Sequence, residues 1–167
     1  GLLRNTGYTA VEHAADSVVL SAEIFPQHGY PFHLVHSVRY SLDDDGGLRV
    51  RQSLANVGAG KAPFALGAHP FLRLGEVPSE DLTLRVDADT RLSTDASLIP
   101  TGQVAVDGAD DLRGGQRVGG LDLDAAFTGL TARDGLYRHE LTAPDGRSVQ
   151  LWAEQEFGYV HVFVTDK

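Results

Sequence analysis

Apolar and polar residues alternate along most of this chain with the two-residue period of half-buried strands. Tyr8 to His13 and Val18 to Phe25 form a predicted hairpin around Ala14-Ala15-Asp16-Ser17. Pro26-Gln-His-Gly-Tyr-Pro31 then reads as a turn or surface loop. His33 to Leu42 and Leu48 to Val57 make a second hairpin, whose connection Asp43-Asp44-Asp45-Gly46-Gly47 suits a tight turn with positive φ. An acidic triplet also suggests calcium, but the alternating oxygen ligands and distal glutamate of a calcium loop are missing, so the turn reading is preferred.

Ala62 to His69 is predicted as a strand, with Phe64, Leu66 and Ala68 on one face and Ala65, Gly67 and His69 on the other. Leu82 to Val86 is a short strand with Leu82, Leu84 and Val86 together. Between Asp87 and Gly120, glycine pairs and Pro100 break the pattern into loops with brief strands. Leu121 to Leu130 can hold one helical turn capped by Asp122 or Asp124. Three strands close the chain: Leu136 to Thr142, Ser148 to Ala153 after a Pro144-Asp145-Gly146 turn, and Tyr159 to Val164. Many short strands and no long amphipathic helix predict an all-β fold, a sandwich or barrel-like architecture.

Composition narrows the function. At 167 residues the chain is expected to be a single domain, and 42% hydrophobic with 22% charged residues is ordinary for a globular protein. No apolar run approaches the length of a bilayer span, so no membrane partner is expected. A net charge of −9, with Lys61 and Lys167 the only lysines, argues against a nucleic-acid partner, which needs a basic footprint. The absence of cysteine removes disulfides, thiolate catalysis and cysteine-rich zinc sites. The chain opens on Gly-Leu-Leu-Arg, contains no methionine, and carries a β-type run almost to Lys167. The expectation is a piece of something longer, truncated at both ends.

Among the candidate chemical groups, His69 stands before Pro70, which pushes it toward extended backbone where a strand leaves its sheet. Small neighbours leave room beside its imidazole, although a satisfied histidine in a strand-end turn is the competing reading. His161 shares a strand face with Tyr159 and Phe163. Aromatic rings beside a hydrogen-bonding group suit a sugar, and a packed strand face is the rival. Trp152 admits the same two readings, with core preferred. Asp124 either caps the Ala125-Ala126-Phe127 turn or reaches a substrate hydroxyl. His33 and His36 point to opposite faces of one strand, while His13, His28 and His139 lack partners at ligand spacing, so no metal site is expected.

The segment Pro63-Phe-Ala-Leu-Gly-Ala-His-Pro-Phe-Leu-Arg-Leu74 resembles the strand and turn that carry the catalytic histidine of the aldose 1-epimerase (galactose mutarotase) family. Leu123-Asp-Ala-Ala-Phe-Thr-Gly-Leu130 resembles that family's Asp-x-x-Phe segment, and Ser148-Val-Gln-Leu-Trp with Tyr159-Val-His-Val-Phe resembles the strands that follow. Gly1-Leu-Leu-Arg4 is similar to the tail of its His-Gly-x-x-Arg motif. The resemblance implies a large antiparallel β-sandwich, the mutarotase-like supersandwich, of which residues 1–167 would be one incomplete domain. It implies a cofactor-independent, cytoplasmic isomerase that interconverts the anomers of free hexoses such as glucose or galactose.

In that family the histidine matching His69 is the general acid, and the residue matching Asp124 holds a sugar hydroxyl. His161 would be a second substrate contact, at a position where members often carry glutamine. The family's other active-site histidine would precede Gly1, its substrate-binding arginine would lie further upstream, and its glutamate base would follow Lys167. Glu154 and Glu156 do not match the motif of that base. The fragment alone is therefore expected to be nearly inactive, and its exposed strand edges are expected to favour self-association. Three alternatives stay open, one of them a purely structural fragment that would bind no sugar. A hexose-6-phosphate 1-epimerase would want basic groups, for which Arg73 is the nearest candidate, and a non-catalytic carbohydrate-binding sandwich would use Tyr159, His161, Phe163 and Trp152 as its platform.

Overall fold

A computed structural model of the chain describes residues 2–164. Gly1, at the expected motif tail, and Lys167 lie outside the described residues. Those described group into two compact units, one up to Leu66 and one from Gly67 onward.

The first unit is a four-stranded antiparallel meander of β1 (Thr9–His13), β2 (Ser17–Ile24), β3 (Leu34–Leu42) and β4 (Leu48–Asn56). Both hairpins fall where the alternation predicts them. Gly46 takes φ +83° in the Asp43–Gly47 turn, a conformation open to glycine without steric cost, and Arg49 pairs with Asp43 across it. Ala22, Ile24, Leu34 and Val38 bury one face, and His36 is buried among them. Its ring satisfies both nitrogens: the Tyr8 hydroxyl meets Nδ1 at 2.8 Å and the Gln52 side-chain oxygen meets Nε2 at 3.2 Å. Since that oxygen only accepts, Nε2 carries the proton and Nδ1 accepts from Tyr8. His36 is thus a structural group.

The second unit holds two four-stranded antiparallel sheets. One runs β11 (Ser148–Glu154), β10 (Leu136–Thr142), β5 (Thr83–Val86), β8 (Gln116–Arg117). The other runs β12 (Val160–Val164), β9 (Leu123–Leu130), β6 (Ala88–Thr94), β7 (Pro100–Ala105). Val86 of β5 shares a core with Leu123, Ala125 and Phe127 of β9 and Val162 of β12, closed by Leu112 and Leu121 from the loops. Phe127, 1% exposed, is the largest of these side chains.

Three sequence expectations need correction. Residues 61–74 adopt no regular structure, so Ala62 to His69 is not a strand. Pro63 and Pro70 each remove a ladder donor, and among the described residues no strand pairs with the segment. Phe64 and Phe71 are accordingly exposed, while Leu66, Leu72 and Leu74 are half-buried. Second, Leu121 to Leu130 forms no helical turn. Leu123, Ala125 and Phe127 alternate buried with more open neighbours, the period of a strand, and ladders on both sides hold β9 extended. Third, residues 88–105 form a full hairpin rather than brief strands. Asp95 closes its turn, accepting at Oδ1 from the backbone N–H of Ser97 and Ile99.

His139, 6% exposed on β10, is buried and among the described residues has no hydrogen-bond partner at Nδ1. Burial pushes its pKa down from 6.5, against a smaller upward pull from Asp87. Because the unfolded chain then binds more protons, His139 contributes stability that is complete above the usual histidine value and is lost as the pH falls through the folded value. Thermal unfolding should show a drop in midpoint between pH 7.5 and 5.5 that His139→Leu flattens. An equal drop in both proteins would assign the acid sensitivity elsewhere.

Candidate active site

β9 and β12 carry two of the sequence-predicted site residues, and their register brings them together. Val160↔Phe127, Val162↔Ala125 and Val164↔Leu123 face one another along the ladder, with Phe127, Ala125, Leu123 and Val162 buried. A one-residue slip would turn this apolar set to the outside, so burial specifies the register. The Thr128 hydroxyl, donating to the Gly158 carbonyl at 2.9 Å, pins the chain just before β12. The opposite face then presents Asp124, which pairs in register with Phe163, and His161, which pairs with Ala126.

The result is a diagonal contact: His161 Nε2 lies 2.7 Å from Asp124 Oδ1. A carboxylate only accepts, so Nε2 carries the proton and donates it. Both side chains are about half exposed. Tyr159 and Phe163, two residues to either side of His161, are exposed on the same face. Among the described residues the aromatic face of His161 is not buried, and Asp124 lies on a strand rather than at a helix cap.

The face continues across the sheet. Leu92, one residue on from the Arg91↔Phe127 pair, comes beside Ala126, and Gln103 pairs with Leu92. These residues line a shallow, open depression with Pro100, Gly102 and Tyr159. Sequence reasoning missed Leu92 and Gln103 because the β6–β7 hairpin was read as irregular. The Thr90, Leu92, Thr94 alternation before Asp95 was the signal available.

His69 takes no part in this hydrogen bond and lies in the irregular segment 61–74. Its ring contacts Phe71, with centroids 4.9 Å apart and planes inclined by 32°. Among the described residues no hydrogen bond, ion pair or ring contact joins it to Asp124 or His161. Arg73, the candidate phosphate ligand, donates from Nε to the Gly75 carbonyl at 2.7 Å and pairs with Glu76 at 2.8 Å. Trp152 is half-buried on β11, in the other sheet from Tyr159, His161 and Phe163, so these four do not form one platform within a sheet. Among the described residues no group of three or more His, Cys, Asp or Glu gathers as a metal site. Among them, too, no helix is long and apolar enough to cross a membrane.

The aldose 1-epimerase family model matches residues 1–155. The chain belongs to the aldose 1-epimerase family. It is 31% identical to the uncharacterized protein YihR of Escherichia coli (strain K12) over 157 residues, covering 93% of this chain and 50% of that protein. The structure of a GalM/aldose epimerase homologue from C. elegans superposes with a TM-score of 0.71 at 22% identity, over 83% of this chain and 46% of its own. A galactose mutarotase-like protein from Clostridium acetobutylicum gives 0.65 at 16% identity, over 96% and 56%. The all-β, antiparallel fold is thus that of galactose mutarotase-like proteins. This family member spans about half the length of these relatives.

Proposed function

We propose that the full-length protein is a cytoplasmic, cofactor-independent aldose 1-epimerase acting on free hexoses such as glucose or galactose. The observation that carries this reading is the Asp124–His161 pair, held at 2.7 Å on an open, aromatic-flanked face of a chain from this family. Two hydrogen-bonding groups between exposed rings suit a pyranose, whose C–H surface stacks on aromatic faces while its hydroxyls need polar partners.

In this reading Asp124 and His161 together form the sugar-binding pair and His69 is the general acid. His69 gives a proton to the ring oxygen as the C1–O5 bond breaks, while a base takes the proton from the anomeric hydroxyl and its electron pair forms the C1 carbonyl. Rotation about C1–C2 and reclosure with the proton transfers reversed deliver the other anomer. Acid and base must act together, because opening needs a proton given at one oxygen and taken from another. Neither Glu154 nor Glu156 matches the family's base, so the 167-residue chain is proposed to be nearly inactive by itself.

Polarimetry on freshly dissolved α-D-glucose and α-D-galactose tests this. The full-length protein should speed the change in rotation, and the 167-residue chain should fall short by about 10²–10⁴-fold, the usual cost of a lost proton-transfer group. Full activity from the shorter chain would overturn the missing-base proposal. The involvement of Arg73 with Glu76 and Gly75 disfavours the phosphorylated-hexose alternative.

Both units are proposed to be parts of one incomplete mutarotase-like domain. β1 and β12 are outermost in their sheets, and their free edges are the proposed route to self-association. Light scattering of the 167-residue chain should show a mass that grows with concentration, and a monodisperse monomer would contradict this.

A further inference from the structure

We propose that His161 is a positioning residue, acting on the sugar through Asp124, whose carboxylate it orients. The proposal rests on the mutarotase reading of the site and deepens it. Nε2 of His161 donates to Oδ1 at 2.7 Å, and among the described residues Oδ2 takes no protein hydrogen bond. One carboxylate oxygen is therefore held and the other is left as an acceptor. An exposed aspartate rotates freely about its side-chain torsions, so each sugar-binding event would otherwise have to order it. A donor fixed on the neighbouring strand removes that cost before the sugar arrives.

Three features of the fold hold the donor in place. Val162 is buried on the far side of β12, which sends His161 outward. Ala126, opposite His161, is too small to compete for the space over Asp124. The Thr128 to Gly158 hydrogen bond anchors the strand entry three residues before the imidazole. The diagonal between the two residues is short enough for a long side chain to span, and the 2.7 Å contact does so.

The experiment uses the full-length protein with D-galactose and D-glucose as probes, reading mutarotation by polarimetry and binding by calorimetry. His161→Phe, which keeps a flat ring but cannot donate, should raise KM about 10-fold with kcat within about 2-fold, the pattern of lost uniform binding to a charge-assisted hydrogen bond. His161→Gln, whose amide N–H can reach the same oxygen, should recover most of that loss. In an Asp124→Ala background His161→Phe should add almost nothing, because the coupling disappears with its acceptor.

Equal damage from Phe and Gln, or fully multiplicative effects with Asp124→Ala, would overturn the positioning role and make His161 a direct contact. Normal turnover with an unaffected His161→Phe variant would overturn it and leave the mutarotase reading standing. Aldose binding without turnover, weakened by His161→Phe and recovered by Gln, would support the positioning role and overturn the mutarotase reading. A full-length protein that neither binds nor turns over an aldose would overturn both.

Discussion

Alanine in place of His69 is expected to lower the mutarotation rate of the full-length protein by about 10²–10⁴-fold, the contribution typical of a positioned general acid. The loss should fall on kcat, since the role proposed for His69 is proton delivery to the ring oxygen during C1–O5 cleavage. Sugar binding at Asp124 and His161 should persist. The substitution is structurally mild: His69 is exposed, lies in irregular chain, and its ring packs against the exposed ring of Phe71. Its stability cost should stay within about 0.5 kcal/mol, as for surface changes away from special features. Polarimetry beside thermal unfolding separates the two effects. An active His69→Ala protein would remove the residue from the chemistry.

Phe127→Ala is the second large effect. Phe127 is 1% exposed, on the same strand as Asp124 and inside the core shared by β5, β9 and β12. Removing a buried phenyl ring costs about 3–5 kcal/mol in lost transfer energy and cavity formation, against a total stability of about 5–15 kcal/mol. Urea denaturation should show that shift, with the site disturbed as β9 loosens. Phe163→Ala is the contrast, since that ring is half exposed on the opposite side of the sheet. It should move the urea midpoint little while weakening sugar binding. Equal destabilisation by the two alanines would mean that the faces of β12 are assigned the wrong way round.

Much of the fold was legible because several strands, β2, β3 and β12 among them, bury one face. Burial on one face forces the two-residue period, and the hairpins around residues 14–16 and 43–47, together with β5, β10, β11 and β12, follow that period with turn residues between them. What escaped has a physical reason in each case. β6 reads Ala-Asp-Thr-Arg-Leu-Ser-Thr, too polar to signal a strand locally, and owes its extension to ladders with β7 and β9. β9 carries Ala125-Ala126, residues with high helix propensity, yet tertiary pairing decides its conformation. Pro63 to His69 has strand-like residues but lacks a ladder partner among those described.

The site was legible to a similar degree. Asp124 and His161 could be singled out as candidates from their segments and from the family resemblance, and the face of His161 followed from period alone. Their direct hydrogen bond was not readable, because it depends on a register between strands about 35 residues apart. Gln103 and Leu92 were hidden with the hairpin that carries them. The environment of His69 was the least legible, since an irregular segment has no period from which to infer a face.

Exchange NMR on equilibrated D-galactose with the full-length protein tests the proposed exchange of sugar anomers most directly. Cross-peaks between the α and β anomeric protons should grow in proportion to protein concentration and fade with His69→Ala. Anomer exchange no faster than in buffer, at protein concentrations that bind the sugar, would contradict the account.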